Sequence, residues 1–355
     1  MHINFRRFSE AQIHVSLVGT IALLLVIAFS SCERIQKPLM TTDTQDASQT
    51  TALTILGGSL GGSFSPFATA VRDIVTQREP QLEISVETSP GSVENTRRVN
   101  ENSAAFGVAF ASESHLGYHG QEVFAEEGAK TNIRAVTLLY IAYAQTTVLA
   151  NSDIHQFEDL VGKKIANGRM GSGSAQTMER LAKSVGIWDQ IIPVYKSSNE
   201  GAAALQTGEA DAFQMLVSVP NDAMAQLAAT NEIRMLDMDA PAQASGFYEQ
   251  YPFYLSGTLP EGAYGGKVAP VNTLLMPTLL IAHKDIPAEI IYAILQHVYT
   301  SEGLQAMQDA TGGAAADIIT VENAPEVFVI PLHLGAYQFW NERGLSIPTY
   351  AMSVD

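Results

Sequence analysis

Two glycine- and serine-rich stretches hold the residues best suited to gripping a small ligand: GGSLGGSFSP at 57–66 and GRMGSGSA at 168–175. Each follows an apolar run and opens an amphipathic one. The first amides of a helix have no partner within it and carry partial positive charge, so such a junction attracts anions. Glycine lets a ligand approach the main chain, and serine adds a hydroxyl donor. The candidate contacts are Ser59, Gly61, Gly62, Ser63 and Phe64 in the first stretch, and Arg169, Gly171, Ser172, Gly173 and Ser174 in the second. Tight strand-to-helix turns use the same residue types, so each stretch alone also reads as a plain turn. Arg169 is the lone base of its loop. It reads either as a fork for a carboxylate or as a solvated surface arginine. A third stretch, GSVENTRRV at 91–99, sets Ser92 and Asn95 near a helix start, with Ser92 alternatively a plain N-cap and Asn95 on an exposed face.

Other chemistries fit less well. GGSLG at 57–61 matches G-x-S-x-G, with Ser59 as nucleophile and His283 or His333 as base. That elbow normally follows several strands, whereas this one follows the first. GGSLGG lacks the spacing of a dinucleotide fingerprint, and no Gly-Lys-Ser/Thr phosphate loop occurs. His115 and His119 lie four apart, but Gly117 and Gly120 argue against a firm helix there and no third ligand is evident, so surface histidines are expected. Neither cofactor, metal nor catalysis is expected.

Acidic residues outnumber basic ones 37 to 20, a net charge of −17, with no basic run. That surface repels phosphate backbones and argues against nucleic acid. The basic head MHINFRR, the apolar run Leu17 to Phe29 and the small residues of SSC make a secretory signal over residues 1–31. Cys32 is the one cysteine and sits where the signal ends, as in the lipobox of bacterial lipoproteins; an uncleaved signal anchor is the alternative. Both place the rest of the chain outside the cytoplasm. Residues 32–51 are polar, lack periodicity and read as a tether.

The elements that must position the glycine-rich loops alternate. ALTIL, LEISVET and AAFGVAF read as strands separated by helical patterns, and KKIANG, IIPVYK and ADAFQML repeat the arrangement. Alternation of this kind predicts parallel sheets covered by helices. Ser65 is the expected cap of the first helix, with Pro66 at its first position. Two strand-like segments, Arg134 to Asp153 and Asn272 to Asp285, read as paired crossings between two lobes. Lobe one would comprise 52–145 and 275–355, and lobe two 146–274, with the ligand in the cleft between them.

Six phrases now carry a resemblance: GGSLGGSFSP (57–66), GSVENTRRV (91–99), FEDLVGKKIANGRMGSGSAQTMERL (157–181), EGAAALQTGEADAFQ (200–214), LPEGAYGG (259–266) and IPLHLGAYQFW (330–340). In this order they resemble the TAXI-type solute-binding proteins of tripartite ATP-independent periplasmic (TRAP) transporters. The resemblance implies an α/β fold of two lobes, type II-like among periplasmic binding proteins, closing on a small organic anion such as glutamate or 2-oxoglutarate. It implies delivery of that solute to a TRAP permease, attachment to the membrane through Cys32, and a site that includes Gln214. A ligand-sensing lipoprotein that signals to a partner protein shares these features. Leu60, Phe64, Ser65 and Phe110 depart from residues common in that family, where threonine, tyrosines and glutamine stand, and they make the cleft more apolar.

Overall fold

The computed structural model describes residues 50–312 and 328–352. The signal, Cys32 and nearly all of the expected tether lie outside the described residues. The folded body starts one residue earlier than its sequence predicts, because Thr51 already pairs with Leu82.

The chain opens with β1 (Thr51–Leu56), α1 (Phe64–Thr76), β2 (Leu82–Glu87), α2 (Ser92–Asn100), β3 (Phe106–Phe110) and α3 (Ala111–His119). The long strand β4 (Ile133–Leu149) leads into β5 (Lys164–Asn167), α4 (Gly173–Val185), β6 (Ile192–Val194), α5 (Ser198–Thr207) and β7 (Ala212–Val217). There follow α6 (Asp222–Thr230), β8 (Ile233–Met235), α7 (Asp239–Ala244), α8 (Phe247–Gln250) and β9 (Leu255–Thr258). A second long strand, β10 (Asn272–His283), precedes α9 (Ala288–Val298), α10 (Ser301–Thr311) and α11 (Leu334–Glu342).

All ten strands of the described residues join in one mixed sheet, ordered β2-β1-β3-β10-β4-β7-β5-β6, with β8 on β4 and β9 on β10. The expected parallel units are present as β2-β1-β3 and β6-β5-β7. They are not separate sheets, because both crossing segments run through the middle. β10 pairs antiparallel with β3 and β4, and β4 pairs antiparallel with β7. Every residue of β4 up to Val148 is buried, as expected of an apolar, β-branched strand covered on both faces. Two half-sheets therefore hang from one β4–β10 pair.

Helices fill the faces by ordinary amphipathic logic. In α1 the residues Phe64, Phe67, Ala68, Val71, Ile74 and Val75 are buried at spacings of three and four. Phe67 stacks on Tyr140 of β4 with ring centroids 4.3 Å apart. Truncating it to alanine would cost about 3–5 kcal/mol. α9 and α10 pack against α1, and α11 against α9, which returns the C-terminal helices to the β1–β3 half.

Two local expectations change. The cap of α1 is Ser63, not Ser65, so Pro66 lies within the first turn, where a missing N–H costs nothing. Residues 111–119 do form a helix. Gly120 ends it in the left-handed conformation at φ 63°, while Gly117 packs so close to Thr96 that a Cβ would lie 2.6 Å from its methyl. His115 and His119 thus stand one turn apart, with ring centroids at 4.5 Å, and His115 is half-buried rather than on the surface. No group of three or more metal-ligating side chains occurs among the described residues.

Candidate ligand site

Three helix starts meet at one cavity. α1 contributes Ser63 and Phe64, α2 contributes Gly91 and Ser92, and α4 contributes Ser172, Gly173 and Ser174. The cavity lies at the carboxyl ends of β3 and β7, where Phe110 and Met215 to Val217 form its apolar wall. The cavity is narrow, with a volume of about 30 Å³.

The narrowness follows from contacts between the two half-sheets. Ser63 Oγ lies 2.8 Å from Ser218 Oγ and accepts from the Ser218 amide at 2.9 Å. Asn221 Nδ2 donates to the Gly61 carbonyl at 2.9 Å. Gly91 has φ 139°, a region open chiefly to glycine, and a Cβ there would lie 3.1 Å from that of Ser172. A Cβ on Gly173 would strike the Phe110 ring and come within 2.6 Å of Glu113 Oε2. Glycine is the residue that lets these loops touch.

The lining is built of donors. Ser92 Oγ accepts from the Phe110 amide at 2.8 Å, Ser172 Oγ from Ala175 at 3.2 Å and Ser174 Oγ from Leu216 at 3.0 Å. Each oxygen is therefore held by a backbone N–H, and among the described residues no acceptor takes the three hydroxyl protons. No side chain caps α1 or α2. α1 and α4 carry no acid of their own in the first turn, although the buried Glu113 carboxylate stands beside the α4 start at Gly173, and α2 carries Glu94. Among the described residues no carboxylate and no histidine lines the cavity.

Nine of the thirteen expected ligand contacts line this cavity: Ser59, Gly62, Ser63, Phe64, Ser92, Arg169, Ser172, Gly173 and Ser174. Four do not. Gly61 packs against Asn199, and Gly171 sits in a turn beside Pro90. Asn95 is fully buried, not on an exposed face: its amide donates to Leu56 O and Val108 O and its oxygen accepts from Ser89, tying β1 to β3. Gln214 is buried in β7 between Thr146 and Asn167, with neither amide atom bonded among the described residues. Arg169 stands at the edge of the cavity. It lines the rim, is 48% exposed, and meets Glu200 at 3.4 Å. Glu200 is itself bound by the Ser197 hydroxyl and amide, which hold its carboxyl below the usual range. His283 sits at the opposite end of β3, donating its amide to Ala105, and His333 caps α11, so neither forms a pair with Ser59.

Sequence reading missed a charged cluster behind the cavity. Arg180 of α4 meets Glu113 of α3 at 2.7 Å and Glu122 at 2.8 Å, and its guanidinium donates to Tyr254 at 3.1 Å. Arg180 is 3% exposed and Glu113 0%. α3 packs on β3 and β10, while α4 packs on β5 and β7, so this ion pair joins the two half-sheets. Nothing local marks it, because the partners lie 67 residues apart.

A mixed sheet in two halves, joined through the paired β4 and β10, is the two-lobed periplasmic binding-protein fold. The profile described as the NMT1-like family matches residues 55–344, and the chain belongs to that family. Among solved structures it is similar to MatC from Rhodopseudomonas palustris with bound malate, at 14% identity over 82% of this chain and 97% of that one, with a TM-score of 0.52. It is also similar to the alkanesulfonate-binding protein SsuA from Xanthomonas axonopodis pv. citri bound to MOPS, at 14% identity over 86% and 98% of the chains and a TM-score of 0.46.

Proposed function

We propose that this protein is an extracytoplasmic solute receptor that closes on a small organic carboxylate and delivers it to a TRAP-type permease. The observation that carries the reading is the donor-rich wall. Three helix starts and three serine hydroxyls, each serine oxygen already held by a backbone amide, line one cavity with no carboxylate in its lining among the described residues. Such a wall complements acceptor atoms, and an anion above all. It offers no nucleophile–base pair, so binding rather than bond cleavage is its use.

On this reading residues 52–145 and 275–355 form lobe one, 146–274 form lobe two, and flexing of the β4–β10 pair opens the cleft. The six TAXI-like phrases support the TRAP partner, and the Cys32 signal supports a lipid anchor in a membrane. The test is thermal unfolding of the full chain with small carboxylates. A ligand at tenfold to hundredfold excess over its Kd should stabilise by about 1.4–2.7 kcal/mol. A panel in which carboxylates act no better than their neutral amides would overturn the proposal. Co-purification with a many-helix permease, rather than a kinase, would separate transport from sensing.

A further inference from the structure

Resting on that reading, we infer that the cleft selects an anion with one acceptor headgroup and an apolar body, and discriminates against dicarboxylates and α-amino acids. The headgroup end is the donor wall of Ser92, Ser172 and Ser174, all buried. The rest of the lining is largely apolar and interleaved with those serines, since Ser92 and Ser174 are held by the amides of Phe110 and Leu216. Phe64 and Phe110 meet edge to face at 4.8 Å, and Met215, Leu216 and Val217 complete that side. A second carboxylate would have to lie against these side chains, losing its hydration without gaining donors.

Arg169 is the one cation in the lining among the described residues, and at 48% exposed its charge is screened by solvent. Its guanidinium lies at the half-exposed rim beside Glu200, which is 57% exposed. An ammonium group fares no better. The carbonyls of Gly58, Ser59 and Arg169 in the wall already accept one bond each from the amides of Ser89, Gly62 and Ser172, and among the described residues the lining sets no carboxylate against an ammonium. Behind the wall, both Glu113 oxygens are taken, one by Arg180 and the other by the Ser112 hydroxyl. A zwitterion would bring a charged donor to a surface that presents donors. Burying a charge unpaired costs far more than any apolar contact returns.

Calorimetry on the full chain with four five-carbon probes tests this: valerate, glutarate, norvaline and valeramide. Valerate should bind at least about tenfold more tightly than each of the others, a gap of about 1.4 kcal/mol. Glutarate or norvaline binding as tightly as valerate would overturn the inference while leaving an anion receptor in place. Valeramide binding as tightly as valerate, or no binding by any probe, would remove the anion reading itself. Two variants locate the selectivity. Phe110→Leu keeps the wall apolar and should preserve the order, whereas Phe110→Gln should raise glutarate relative to valerate. An unchanged ratio in Phe110→Gln would place the discrimination elsewhere and overturn the assignment to this wall.

Discussion

Arg180→Met tests whether the buried ion cluster holds the two half-sheets together. In the native chain the Arg180 guanidinium bonds Glu113, Glu122 and Tyr254 and lies 5.9 Å from the Tyr251 ring. Methionine matches the aliphatic stem but leaves the Glu113 carboxylate fully buried without a counter-charge. Removing one partner of a buried pair costs about 3–5 kcal/mol. Glu113 and Arg180 sit on opposite half-sheets, so the molecule can avoid that cost by opening and hydrating Glu113. The closed arrangement should then lose a factor of roughly 10²–10⁴ relative to the open one. Small-angle scattering should report a larger radius of gyration, and solute affinity should fall in proportion to the closed fraction. The double variant Arg180→Met with Glu113→Leu removes the uncompensated charge and should restore most of the closure, because apolar replacement of a buried pair is close to neutral. Unchanged scattering and affinity in the single variant, or a double variant as open as the single one, would refute the argument.

Further outcomes follow from the same geometry. Gly173→Ala drives a methyl into Phe110 and towards Glu113, so it should weaken solute binding at least about tenfold in calorimetry, the equivalent of about 1.4 kcal/mol. Arg169→Ala breaks an exposed 3.4 Å pair and should cost less than about 1 kcal/mol of stability by denaturant titration, its effect showing mainly as a lower association rate at low salt. Burial, then the neighbouring charge of His119, lowers the His115 pKa below 6.5. The unfolded chain therefore binds more protons than the folded one just below pH 6.5, and the folded state loses stability as pH falls through that window. Melting curves from pH 7 to pH 5 should show this loss, and His115→Gln should reduce it.

Much of the architecture is legible in sequence because it rests on period and punctuation. The strand runs, the amphipathic α1 and α4 and the two glycine-rich junctions were visible as alternation broken by Gly and Ser. The union of both halves in one sheet was not, because pairing of β10 with β3 is a matter of partners far apart in the chain. α3 was obscured by Gly117 and Gly120, which read as breakers until Thr96 and the left-handed cap explain them. The residue types of the site were legible, but their roles depended on tertiary contacts. Asn95 and Ser92 sit three residues apart in one helix, yet one ties strands together and the other lines the cavity. Arg180 looked like any polar residue of an amphipathic helix until its partners arrived from α3.

The most direct test is a crystal structure of the protein grown with a saturating small carboxylate. The account predicts the carboxylate between the half-sheets, its oxygens within hydrogen-bond distance of the Ser92, Ser172 and Ser174 hydroxyls and of the amides that open α1 or α2. A carboxylate bound elsewhere, for example in the groove beside Leu60, Pro220 and Asp309, or a cavity whose serine protons stay turned to the protein, would contradict it.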